Sequence, residues 1–261
     1  VQPVFLVVER EHLLEDALLR HHPAAIEHQD FQHAELPAGE LERLACDEND
    51  HAGIAFVTIG LIVANALAFL NEINRPEQAL QAFIFAWGVV PREFAVGTDL
   101  PPLIPFPYWT TLVTSMFLHG GWGHLGGNML FLWIFGDNIE HRLGHLRFLL
   151  FYFVCGFAAS LAHILFNSGS NIPAVGASGA ISGVLGGYLL MFPRNRVYVV
   201  TWGGVMAVPA VFMLGLWIVM QLISGVGSIA VTAKNAGGGV AYMAHVAGFV
   251  GYEPIRHFCE R

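Results

Sequence analysis

From residue 52 onward the chain shows long uncharged runs rather than a regular alternation of apolar and polar positions. Residues 53–70, 148–166, 174–192 and 205–223 hold 18 or 19 residues each with almost no charge. A helix of that length crosses a hydrocarbon core of about 30 Å. A further span is expected over about 121–139. A weaker one covers 237–252, only 16 residues before Glu253 and Pro254. The pattern predicts an all-α membrane protein with six transmembrane helices.

The segments between the runs refine this. Residues 1–51 read as a polar N-terminal tail, distinct from a membrane domain over 52–261; a helical pattern is visible at Leu13, Leu14, Ala17 and Leu18. Short loops carry Arg142 and Arg147 after the second span, Arg194 and Arg196 after the fourth, and Arg256 and Arg261 after the sixth. The alternate set holds Arg75, Arg92 and Lys234. Basic residues concentrate on the cytoplasmic side, so both termini are expected in the cytoplasm. The first loop, about 71–118, is long. Pro101, Pro102, Pro105 and Pro107 break any spanning helix there, while Phe85, Trp87, Phe106, Tyr108 and Trp109 suit a membrane interface. It is read as a loop lying in the surface of the outer leaflet.

Composition excludes the soluble alternatives. In 261 residues, 55% are hydrophobic and only 12% charged, with a mean hydropathy of +0.56. That leaves too little polar surface to clothe a soluble globule. The net charge of −8 argues against nucleic acid as a partner. It also belongs to the tail: residues 1–50 hold twelve acids against Arg10, Arg20 and Arg43, whereas 51–261 hold nine basic and eight acidic residues. Cys46, Cys155 and Cys259 make neither a disulfide framework nor a CxxC metal motif. Six tail histidines show no repeating carboxylate spacing, so a solvated tail is expected rather than a metal site. The apolar run 4–8 is followed by Glu9 and lacks a basic n-region, unlike a signal peptide; the missing initial Met points to a trimmed or incomplete chain.

Polar groups inside a bilayer are costly, which makes the intramembrane histidines, asparagine and serine the candidates for chemistry. His124 and Asn128 are four residues apart on one helix face, and His119 precedes them across Gly120 and Gly121. Ser178 lies in Gly176-Ala177-Ser178-Gly179 and His245 in Ala244-His245-Val246-Ala247-Gly248. With both termini inside, spans two, four and six all enter from the outer face. Ser178 then lies roughly 6 Å deep and His245 roughly 12 Å deep. A hydroxyl, two imidazoles and an amide in one layer match the parts needed for acyl transfer: nucleophile, base and oxyanion donors. Each motif alone also has a plainer reading. A serine among glycines is commonly a packing residue in membrane helices, and a single histidine can simply bond a neighbouring carbonyl.

Together these segments resemble the rhomboid family of intramembrane serine proteases, over about residues 53–251. The resemblance rests on His119-Gly-Gly-Trp-Gly-His124-Leu-Gly-Gly-Asn128, on the GxSG of 176–179, and on Ala244-His245-x-x-Gly248. It implies a six-helix rhomboid bundle with Ser178 as nucleophile and His245 as general base, a dyad without a carboxylate. It implies His124 and Asn128 as oxyanion donors and structural roles for His119, Gly176, Gly179 and Gly248. Glu140-His-Arg142 resembles the ExR element that pins one end of the second helix. No cofactor and no metal are implied. The expected partners are the lipid bilayer and transmembrane protein substrates, single-pass proteins cut near their outer end. The expected location is a bacterial inner membrane. Two positions depart from the family pattern: Thr110 follows Trp109 where some relatives have arginine, and Ser182 stands where a tyrosine often stacks on the histidine. No HExxH occurs, and Asp137 is the only aspartate near a membrane segment, so metallo- and aspartyl protease readings fail. The remaining alternative is a non-catalytic rhomboid-like protein that binds membrane helices for retention or quality control.

Overall fold

A computed structural model describes residues 5–7, 53–201, 204–232 and 242–251. Helix α1, Phe56–Ile73, buries Thr58, Leu61, Asn65, Phe69 and Glu72, spaced three or four apart on one stripe. Ile59, Val63, Leu67 and Leu70 are exposed instead. The buried stripe carries Thr58, Asn65 and Glu72 beside Leu61 and Phe69, while the outward face is apolar, unlike that of a soluble amphipathic helix. Another long helix, His145–Phe166, exposes Leu146, Leu150, Val154, Leu161 and Leu165 while burying Tyr152, Cys155 and Ala159. With 18 and 22 residues and mean hydropathies of 1.8 and 2.1, these two are long and apolar enough to cross a membrane.

The chain forms two compact units. One comprises 1–54 and 196–208, and its described part is a three-stranded sheet of order β1-β2-β3. Strand β1 is Phe5–Val7, β2 is Arg196–Thr201 and β3 is Gly204–Pro209. Phe5 lies opposite Val200 and Val7 opposite Tyr198, antiparallel. This sheet departs from the all-helical expectation, and it groups 196–208 with N-terminal residues rather than with the helical body. The physical reason is composition: Val197, Tyr198, Val199, Val200 and Thr201 are β-branched or aromatic throughout. The expected fifth span, 205–223, is shifted accordingly. Its first residues are strand, and the helix begins only after Pro209, whose ring and missing N–H do not suit a helix interior. The rest of the expected tail, with its helical pattern, lies outside the described residues.

The other unit, 55–195 and 209–261, holds the helices. After α1 come α2 (Glu77–Trp87), α3 (Pro91–Val96) and α4 (Thr111–Thr114), so the long first loop is largely short helices. Helix α5 (Trp122–Phe131) continues through a π-helical turn, Leu132–Gly136, into α6 (Asp137–Leu143). Then follow α7 (His145–Phe166), α8 (Ser178–Met191), α9 (Ala210–Thr232) and α10 (Tyr242–Val250). Helix α8 packs on α7 and α10, and α10 packs on α7 and α9. Tyr152, Tyr188, Phe135 and Phe148 fill the centre of this bundle.

Glu140 anchors the start of α1. Its carboxylate accepts the Val57 N–H at 2.8 Å and the Thr58 N–H at 2.7 Å, with no exposed surface of its own. First-turn N–H groups have no partner within their helix, and an anion there is stabilised by the helix dipole. His145 Nδ1 meets the same carboxylate at 2.5 Å. The pinning expected of the Glu140-His-Arg142 element is therefore carried by Glu140, while Arg142 is exposed.

Candidate active site

Helix α8 has 14 residues and rises about 21 Å, short of a full crossing, because it starts only at Ser178. The expected span 174–192 therefore begins with non-helical backbone. Such backbone needs protein partners, and the first loop supplies them. Val89 and Ala174 exchange both hydrogen bonds, at 3.0 and 2.8 Å, and the Arg92 N–H donates to Ser170 O at 3.1 Å. The Gly176 N–H donates to Ser115 O at 2.8 Å. The Thr114 hydroxyl donates to Trp87 O at 2.7 Å, tying α4 to the end of α2. The loop before the serine is thus held from several sides.

Ser178 is the first residue of α8, so the free N–H groups of the helix start surround its position. Ser182 sends its hydroxyl back to Ser178 O at 2.6 Å, leaving the Ser178 side chain unencumbered. His245 reaches it from α10: Nε2 lies 2.8 Å from Ser178 Oγ. That approach depends on Gly248, one turn along α10. A Cβ at Gly248 would collide with Gly179 O and lie 3.4 Å from Ser182 Cβ. Backbone meets backbone here, and only glycine permits it.

His124 approaches the serine across Gly176. The Gly120 N–H donates to its Nδ1 at 3.3 Å, so in the neutral ring Nε2 carries the proton. Gly176 sits beside that nitrogen with a φ of +125°. A Cβ there would lie 2.7 Å from His124 Nε2 and 3.7 Å from Ser178 Oγ. An N–H donor and a hydroxyl therefore border the same small space, an arrangement able to hold a carbonyl under attack.

Asn128 follows His124 by one turn on α5 and is buried, and among the described residues its amide nitrogen has no hydrogen-bond partner. It does not line the pocket at Ser178. That pocket has a volume of about 40 Å³ and is bordered by Ser115, Gly176, Gly179, Ser160, His163 and Ala244, among others. It has room for about three or four waters at about 10–15 Å³ each. His119 stands behind His124, ring centroids 5.1 Å apart, and its backbone N–H donates to the buried carboxylate of Glu72 at 3.2 Å.

Two residues of the site are absent from the motifs read in the sequence. Gln221 Oε1 lies 2.8 Å from His245 Nδ1, and the Trp217 ring lies 6.0 Å from the His245 ring at 33°. Both come from α9, one turn apart, below the buried Leu214 on the same face. Trp217 lies tilted against the His245 ring and also against Phe249 of the same helix as the histidine. The signal for Gln221 was available: an uncharged amide inside an apolar run is a functional candidate by default. Among the described residues no cluster of three or more metal-ligating side chains occurs.

Comparison with known proteins places the helical body in a family. Residues 107–252 match the Rhomboid domain. The chain is 37% identical over 162 residues to rhomboid protease GluP of Bacillus subtilis, covering 62% of this chain and 29% of that protein. It is 31% identical over 142 residues to rhomboid protein 1, mitochondrial, of Saccharomyces cerevisiae, covering 53% of this chain and 38% of that protein. With Arabidopsis thaliana rhomboid-like protein 11, chloroplastic, 79 residues align at 40% identity, 30% of this chain and 28% of that protein. The chain thus spans well under half the length of these relatives. The domain match runs from the first loop through the serine-bearing α8 to the histidine-bearing α10, and with helices that turn their apolar faces outward it identifies an integral membrane protein belonging to the rhomboid family.

Proposed function

We propose that the protein is an intramembrane serine endopeptidase that cleaves transmembrane segments of single-pass membrane proteins with a Ser178–His245 dyad. One observation carries the reading: His245 Nε2 lies 2.8 Å from Ser178 Oγ across helices 67 residues apart in the chain. Ser178 Oγ attacks the scissile carbonyl carbon while its proton passes to Nε2. The resulting oxyanion is held by the His124 Nε2–H and the N–H groups at the start of α8; the family resemblance assigns the Asn128 amide to the same task, one turn beyond His124. His245 then protonates the departing amine. A water in the pocket, activated by the same histidine, hydrolyses the acyl-enzyme. His119, Gly176, Gly179 and Gly248 shape the site, and the chemistry calls for no cofactor.

The setting proposed with it is a six-span bundle over 52–261 in a bacterial inner membrane, with both termini and the acidic 1–51 segment in the cytoplasm. A non-catalytic helix-binding role is disfavoured because the serine and histidine are both present and in hydrogen-bond contact. The test is cleavage of a generic transmembrane substrate by the purified protein in detergent, beside Ser178→Ala and His245→Ala. A fluorophosphonate probe should label the parent at Ser178, and each substitution should abolish cleavage. Cleavage that survives Ser178→Ala, or a parent neither labelled nor active, refutes the assignment.

A further inference from the structure

We propose that Gln221 is a positioning residue that fixes the tautomer of His245, making the working unit Ser178–His245–Gln221. The inference rests on the proposed Ser–His chemistry. A neutral imidazole has one protonated and one free nitrogen. To take the serine proton, Nε2 must be the free one, so the resident proton must sit on Nδ1. Nδ1 lies 2.8 Å from Gln221 Oε1, an acceptor that the Nδ1–H can donate to. The opposite tautomer would require the Gln221 amide to turn and offer its NH2 to Nδ1, and it would make Nε2 a donor facing the hydroxyl, unable to take the serine proton.

The placement of Gln221 supports a selected role. It sits between Met220 and Leu222 in the apolar body of α9, where those two neighbours are exposed on the outer surface. Trp217, one turn earlier, faces the His245 ring, so α9 supplies both a ring contact and a hydrogen-bond acceptor. During turnover the Nδ1 proton stays on Nδ1. Nε2 gains the serine proton to form the imidazolium, and the Gln221 oxygen accepts from the more acidic Nδ1–H. Nε2 then passes its proton to the leaving amine, and the original tautomer is restored. No carboxylate takes part, and the proton count closes.

The test compares the parent with Gln221→Met, which keeps side-chain length without the acceptor, and Gln221→Glu, which keeps the acceptor. Full-length protein in detergent is assayed for kcat and KM on a transmembrane substrate and for the rate of fluorophosphonate labelling at Ser178. Thermal midpoints are followed in parallel. Nitrogen-15 NMR of histidine-labelled protein, with the His245 signals identified against His245→Gln, reads the tautomer directly in the parent. Expected are an Nδ1–H tautomer in the parent, and a kcat and labelling rate about 10-fold lower or more in Gln221→Met with KM within about twofold, in line with one lost hydrogen bond to a developing charge. Gln221→Glu should restore most of the rate. An Nε2–H tautomer in the parent overturns the proposal whatever the variants do. So does a Gln221→Met protein with kcat and labelling within twofold of an active parent; in that case the Ser–His reading stands. A parent with neither cleavage nor labelling overturns both.

Discussion

Gly176→Ala separates the packing of the site from its chemistry. The new Cβ would lie 2.7 Å from His124 Nε2 and 2.8 Å from Cε1, against an ordinary contact of about 3.5 Å. The ring must therefore retreat by roughly 0.8 Å or turn away. In addition, the φ of +125° is a conformation that an L side chain adopts at a cost of about 1–3 kcal/mol. If His124 Nε2–H donates to the oxyanion, a shift of that size forfeits most of the bond, and losing one such donor costs about 10²–10³ in kcat. The assay is a double-mutant cycle on cleavage by the parent, Gly176→Ala, His124→Ala and the pair, with melting temperature recorded for each. Because Gly176→Ala acts through the ring, it should cost far less once the ring is gone, and the two effects should fall well short of additive. Equal losses in both backgrounds would refute the coupling and leave only backbone strain. A Gly176→Ala protein within threefold of the parent would refute the whole account of this position.

Other expectations concern approach and charge. Gly248→Ala places a methyl group against Gly179 O, forcing α10 away from α8. A displacement of about 1 Å would stretch the Ser178–His245 contact beyond hydrogen bonding and lower kcat by about 10²-fold, with an overpacking cost of about 1–3 kcal/mol in the unfolding midpoint. Unchanged kcat would show that α10 yields elsewhere. Glu93, in the first loop at α3, is raised above its ordinary value of 4.5 by burial, partly offset by the Leu100 N–H that donates to it at 3.2 Å. A carboxyl raised on folding favours the folded state fully below the unfolded value, and that stability is lost as pH rises toward the folded value. Glu93→Gln should therefore raise the melting temperature at pH 7 relative to the parent and narrow that difference near pH 4; a difference independent of pH would contradict it.

How much was legible in the sequence depends on the range of the interaction. Long uncharged runs, the acidic N-terminal segment and the spacing of His119, His124, Asn128, Ser178 and His245 are properties of the chain itself, and they pointed to a membrane protein of the rhomboid kind. Hydropathy reports what a segment avoids, so it located apolar spans without locating their ends. The helix start at Ser178 instead of 174 follows from pairing with Val89, 85 residues away, and the β-prone run Arg196–Thr201 finds its strand partner only in Phe5–Val7. Those contacts leave no periodic trace. Glu140 reads as one end of a helix in the sequence, but only the fold brings it to the first turn of α1. Gln221 and Trp217 show the same division. The sequence holds an amide and an indole in an apolar run, while the face they present, and the histidine it meets, are decided by the packing of α9 on α10. Side-chain type is a local fact, whereas a partner across two helices is set by the glycine-lined approach of backbones that tertiary structure alone specifies.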